Sequence, residues 1–222
     1  MNYQTILAAV ATNFILASST HAGLFISGVF DGPLSGGNPK GVELYVTEDI
    51  ADLSSYAIGS ANNGGGSDGV EFILSGSASA GDYIYIASPS NGGEAGFTNF
   101  FGFAPTFLST SMGINGDDAI ELFDSTETVI DTFGVIDVKG TGEAWEYLDG
   151  WAYRTGGTAG AFNISDWSFS GIHALDGEAT NASAGSPVPI GTFTTTVVPE
   201  PNTYALLAGM IALASVMLNR RS

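Results

Sequence analysis

Short apolar or alternating runs recur along the body of the chain, separated by clusters of Gly, Asn, Asp and Ser. Residues 24–30 form the first, followed by Val42-Glu43-Leu44-Tyr45-Val46, Tyr56-Ala57-Ile58-Gly59 and Val70-Glu71-Phe72-Ile73-Leu74. Residues 83–87, 119–123 and 129–133 continue the series, and Trp151-Ala152-Tyr153-Arg154 reads as its closing strand. Runs this short with a two-residue alternation predict strands, and residues 124–128 have the length of a hairpin connection. Seven or eight such strands without a sustained helical period predict an all-β body, a β-sandwich. One helical turn is expected within residues 96–103, and residues 62–69 and 155–160 read as loops. Glu43, Glu71 and Glu121 each interrupt an apolar run, which places them on the wet face of a sheet. Phe162, Trp167 and Phe169, with Ile172 and Leu175, predict that the segment 161–183 packs back onto the sandwich.

The two ends follow different rules. Residues 6–17 are mostly apolar and lead into Ser18-Ser19-Thr20-His21-Ala22, the layout of a secretory signal peptide cleaved before Gly23. Its n-region carries no Lys or Arg; an uncleaved N-terminal anchor is the alternative. The other end reads Val198-Pro199-Glu200-Pro201-Asn202, an apolar stretch over residues 203–218, and Asn219-Arg220-Arg221-Ser222. Two prolines hold an extended segment open to a processing enzyme. Arg220 and Arg221 place the C-terminus in the cytoplasm by the positive-inside rule and stop transfer there. The organisation is therefore a signal peptide over 1–22, a domain over 23–184, a Pro/Thr-rich linker over 185–198 and a tail over 199–222.

The tail, from Pro199-Glu200-Pro201 through Thr203-Tyr204-Ala205-Leu206-Leu207-Ala208-Gly209 to the Arg pair, resembles the PEP-CTERM sorting signal of Gram-negative, biofilm-forming bacteria. That resemblance implies an exosortase as processing partner, transient anchoring in the inner membrane by a C-terminal transmembrane helix, and delivery to the cell surface or extracellular matrix. A plain C-terminal membrane anchor is the alternative. The body resembles the lamin-tail domain, an immunoglobulin-like β-sandwich, over residues 24–155. The resemblance rests on Lys40-Gly41-Val42-Glu43-Leu44-Tyr45, on Asn115-Gly116-Asp117-Asp118-Ala119-Ile120-Glu121-Leu122-Phe123-Asp124, and on Val129-Ile130-Asp131-Thr132-Phe133-Gly134. It implies architecture more than activity.

Charge narrows the partners. The chain carries 23 acidic and 5 basic residues, and Lys40, Lys139 and Arg154 are the cations left once the tail is set aside. Such a surface repels nucleic acid and excludes a general nucleic-acid binder. Fourteen Phe, eight Tyr and three Trp supply the apolar area that a folded domain needs. There is no Cys, so packing, not disulfides, has to hold an exported fold together.

The reacting groups of an enzyme are sparse. His21 lies in the signal peptide, so His173 is the one imidazole of the mature chain. Gly65-Gly66-Ser67-Asp68-Gly69 matches a nucleophile elbow by letter, but a Gly/Asn run precedes it and a strand follows, the reverse of the strand-to-helix setting an elbow needs. Asp117-Asp118 is the most suggestive acidic pair. It reads first as a turn entering a strand and secondarily as a calcium site. No cofactor, metal ligand or catalytic residue is assigned, and Trp145 and Trp151 are read as packing residues. The combined expectation is an exported, non-catalytic surface or matrix protein, a structural or adhesive module for polysaccharide or a surface protein. The alternative is a secreted hydrolase that acts on polysaccharide or another polymer through acidic residues.

Overall fold

The computed structural model describes residues 23–195. The expected signal peptide, the sorting motif Pro199, Glu200 and Pro201, the apolar stretch and the Arg220–Arg221 stop lie outside the described residues. No helix among the described residues is long and apolar enough to cross a membrane.

The body is mostly β-structure in two sheets, with one short helix, consistent with a β-sandwich. Its strands are β1 (Leu24–Leu34), β2 (Asn38–Val46), β3 (Tyr56–Ala61), β4 (Phe72–Ile73) and β5 (Tyr83–Ala87), then β6 (Phe107–Leu108), β7 (Ala119–Asp124), β8 (Val129–Phe133), β9 (Gly150–Arg154) and β10 (Trp167–Phe169). Helix α1 spans Gly93–Phe101. The larger sheet runs in the order β10-β9-β1-β2-β5-β6 and the smaller in the order β4-β3-β7-β8. All named pairs are antiparallel except β5 with β6. Strand β9, expected to close the series, lies inside the larger sheet, because β10 from the trailing segment pairs with it.

Alternation sorts the side chains between two cores. Leu24, Ile26 and Val29 of β1, Val42, Leu44 and Val46 of β2, and Ile120 and Leu122 of β7 fill the space between the sheets. Phe25 and Phe30 of β1, with Trp151 and Tyr153 of β9, belong to a second core on the opposite face of the larger sheet. Strand β1 can serve both because the ladder to β2 steps from Ile26 opposite Leu44 to Gly28 opposite Glu43, leaving Ser27 as the extra residue of a bulge. Phe97 and Phe100 of α1 cover part of the second core, and Leu175, Val188 and Phe193 add to that cover.

That covering corrects two sequence expectations. The first part of the segment read as a linker does not run free: Val188 and Phe193 are buried, and the Trp151 indole N–H donates to the Ser186 carbonyl at 2.9 Å. Glu43 and Glu121 are buried rather than solvated. Only Glu71 is exposed, where it accepts hydrogen bonds from the Ser60 backbone N–H (2.6 Å) and hydroxyl (3.1 Å).

Candidate functional site

The groups that could carry chemistry fall into three clusters: one built by strand register, one between the sheets and one at a loop end.

The first lies on the outer face of the larger sheet. Tyr153 of β9, Gly28 of β1, Glu43 of β2 and Tyr85 of β5 stand opposite one another across four adjacent strands. A Cβ at position 28 would stand 2.9 Å from the Tyr153 ring, so glycine lets that ring lie over β1. The Tyr153 hydroxyl thereby donates to Glu43 Oε1 at 2.7 Å, as does the Ser27 hydroxyl. The backbone N–H of Gly191 donates to Glu43 Oε2 at 2.6 Å, and those of Thr192 and Phe193 donate to the Tyr153 hydroxyl at 3.0 and 2.9 Å. Burial pushes the Glu43 carboxyl above its ordinary value, opposed by the bonds from Ser27, Tyr153 and Gly191. This carboxylate is engaged on both oxygens and serves as the clasp for residues 188–193.

The second cluster joins the sheets at β9 and β8. Arg154 Nη2 donates to both Asp131 oxygens at 2.8 and 2.7 Å, and its Nε donates to the Ile26 carbonyl at 2.8 Å. Asp131 accepts in turn from the backbone N–H groups of Ile26 (2.8 Å) and Gly160 (3.0 Å). The guanidinium carbon lies 4.8 Å from the Trp167 ring centroid and 5.7 Å from that of Phe25. Burial raises the Asp131 carboxyl even so, and the Arg154 charge opposes it. A buried pair with its remaining donors and acceptors satisfied is a structural tie.

The third cluster occupies one loop end of the sandwich and contains the acidic pair Asp117-Asp118. Asp118 is fully buried; it accepts from the backbone N–H groups of Asn63 (2.7 Å) and Asn115 (3.0 Å), pinning the loop before β7. Burial raises its carboxyl. Asp117 Oδ2 accepts from the Thr141 hydroxyl at 2.6 Å and lies 3.4 Å from Lys139 Nζ, while its Oδ1 is buried without a hydrogen-bond partner. The pair is therefore a loop brace, as the turn reading expects. Beside it, Lys40 Nζ reaches Asp31 Oδ1 (2.9 Å), the Ile114 carbonyl (2.7 Å) and Asn115 Oδ1 (3.0 Å). Burial pushes the Asp31 carboxyl up to about 6, although the adjacent Lys40 ammonium opposes the shift. The Tyr147 hydroxyl, fully buried here, donates to the Asp118 carbonyl at 3.0 Å and is held well above its ordinary pKa, by burial first and then by Asp118, Asp31 and Asp117.

His173 sits at the rim of the same end. Its Nδ1 is 3.3 Å from Asp149 Oδ2 and 3.3 Å from Asp176 Oδ2. These three are the residues of the described chain whose donor atoms, all within 4.8 Å of one another, could hold a cation. The sequence pointed to none of them jointly, because Asp149 is distant in the chain and meets the His173 turn through the Leu175 N–H to Asp149 carbonyl bond (3.0 Å). Ser67 lies in a loop whose Gly69 N–H donates to its hydroxyl (3.2 Å), between a single 3-10 turn and β4, so the elbow match has neither its strand nor its helix. Trp145 and Trp151 are both buried, Trp145 edge-on to Phe133 at 6.0 Å.

No family model matches the chain, and neither a curated protein nor a solved structure matches it.

Proposed function

We propose that this chain is an exported, non-catalytic module of the cell surface or extracellular matrix, structural or adhesive in role, released from the membrane by an exosortase acting at Pro199-Glu200-Pro201. The reading takes the body as an immunoglobulin-like sandwich of the lamin-tail kind and the tail as a PEP-CTERM signal. One observation carries the non-catalytic part: Glu43, Asp131 and Asp118 are each engaged on both oxygens by groups of the fold itself. A hydrolytic carboxylate needs a free oxygen facing substrate or water, and these three have none to offer.

Polysaccharide is the expected class of partner outside the cell, with a surface protein as the other. The test is a panel of purified polysaccharides, scored both for retention of the protein and for release of sugar ends. Retention without turnover is the expected result. Turnover abolished by a single Asp or Glu substitution would replace the module with a polymer hydrolase.

A further inference from the structure

We infer that Lys40 and Asn115 are the partners of an intramolecular amide (isopeptide) bond, formed with Asp31 as the proton-transferring group, that joins the two sheets covalently.

The geometry begins with β2. Lys40 stands opposite Asp31 of β1, and its side chain extends to the loop that enters β7 in the other sheet. The amine is confined there: Nζ is 2.7 Å from the Ile114 carbonyl and 3.0 Å from the Asn115 side-chain oxygen. Room for it is made by Gly37, where a Cβ would lie 2.7 Å from both Nζ and Cε. The Asn115 backbone is fixed independently through its N–H to Asp118 Oδ2. The amide is thus presented to the amine rather than left to sample the loop, which is how orientation lowers the barrier to a reaction between two weak partners. Asp31, 2.9 Å from Nζ and almost wholly buried, completes the set. Its carboxyl, lifted to about 6, accepts and returns protons more readily than an ordinary aspartate.

The step balances without any co-reactant. Asp31 takes one proton from the Lys40 ammonium, leaving a neutral amine. Nζ adds to the Asn115 side-chain carbonyl carbon, and the Cγ–Nδ2 bond breaks as Asp31 delivers its proton to the departing nitrogen. Nζ gives up one further proton, the leaving group departs as ammonium, and Asp31 is again a carboxylate. Asn115 is exposed on its outer side, which gives ammonium a way out. In a chain without Cys, the bond would supply the covalent tie between sheets that disulfides give other exported domains.

The test is mass spectrometry of the full chain, denatured and digested after Glu. The fragment ending at Glu43 carries Lys40, and the fragment 95–121 carries Asn115. The expected product is these two fragments joined, lighter than their sum by one ammonia, about 17 Da. Lys40→Arg and Asn115→Ala should each release two separate fragments. Asp31→Asn should leave them mostly separate; Asn115→Ala, at an exposed side chain, serves as the control that keeps its fold. Separate fragments of unaltered mass from the wild-type chain overturn the inference. So does a loss of ammonia confined to fragment 95–121 and unchanged in Lys40→Arg, since that is a succinimide at Asn115-Gly116.

Discussion

Two cation–carboxylate contacts stand out in this molecule, one between the sheets and one within the larger sheet, and they differ in what their cation can do. At one, Arg154 Nη2 meets both oxygens of Asp131 in a buried pair, with the Trp167 and Phe25 rings beside the guanidinium. At the other, Lys40 meets Asp31 beside an amide whose outer side is open to solvent. A guanidinium is planar, permanently charged and matched to a carboxylate, so its contact ends as a hydrogen-bonded tie. An amine can lose its proton and become a nucleophile. The same kind of bridge therefore has a physical role at one end and a chemical role at the other.

Removing half of the Arg154 pair should have the largest effect. Asp131→Ala leaves the guanidinium buried and unpaired and should cost about 3–5 kcal/mol in urea unfolding. Replacing both Asp131 and Arg154 with apolar residues of similar volume should cost far less. An equal loss in the double variant would mean that the pair does more than satisfy itself.

Next in size comes the clasp on the outer face. Phe193→Ala should cost about 2 kcal/mol, below the usual loss for a core Phe, because residues 188–193 can peel away without opening the sandwich. Proteolysis should then cut within 186–193 while the rest of the body stays whole. Cleavage spread through the body would show instead that the clasp and the sandwich unfold together.

Acidity sharpens the contrast between buried and exposed carboxylates. Asp31, Glu43, Asp118 and Asp131 all have carboxyls raised by burial. Each binds its proton more tightly folded than unfolded, so folding takes up protons and the associated stability is complete below the ordinary carboxylate range. It is lost as pH rises through the folded values, about 6 for Asp31. Asp52, exposed, and Asp124, half-buried, are hydrogen-bonded by Ser54 and by Thr126 and are shifted the other way. The buried set prevails, and Tm should be higher near pH 5 than near pH 7.5, by a stability of about 1 kcal/mol from Asp31 alone. A Tm that falls on this acidification would contradict the assignment. The smallest effect is expected on the open side of the smaller sheet, where Ile73→Ser should change stability by no more than about 0.5 kcal/mol.

Much of the fold was legible in the residues. The alternation in 42–46, 83–87 and 119–123 located β2, β5 and β7, because each has one face in a shared core. Strand β6 has two residues and pairs in parallel with β5, too short to leave a periodic signal. Glu43 was misread for a different reason. Alternation correctly gives the face it points to, but what covers that face arrives 148 residues later, at Gly191. The site was less legible still. Lys40 and Asn115 are 75 residues apart, and each reads alone as an ordinary polar residue in a turn-rich chain. Asn115-Gly116-Asp117-Asp118 stood out as acidic, yet its acids brace the loop while the neighbouring Asn is the group placed against the lysine.

The clasp also bears on the tail. On the proposed sorting function, the packing of residues 188–193 onto the body puts the exosortase cut beyond Phe193, at Pro199-Glu200-Pro201. The direct measurement is mass spectrometry of the mature C-terminus from cells with and without a cognate exosortase. The account predicts a single new C-terminus near residues 199–201, beyond the clasp, only when the exosortase is present. An intact tail in both cells, or a cut before Phe193, would contradict it.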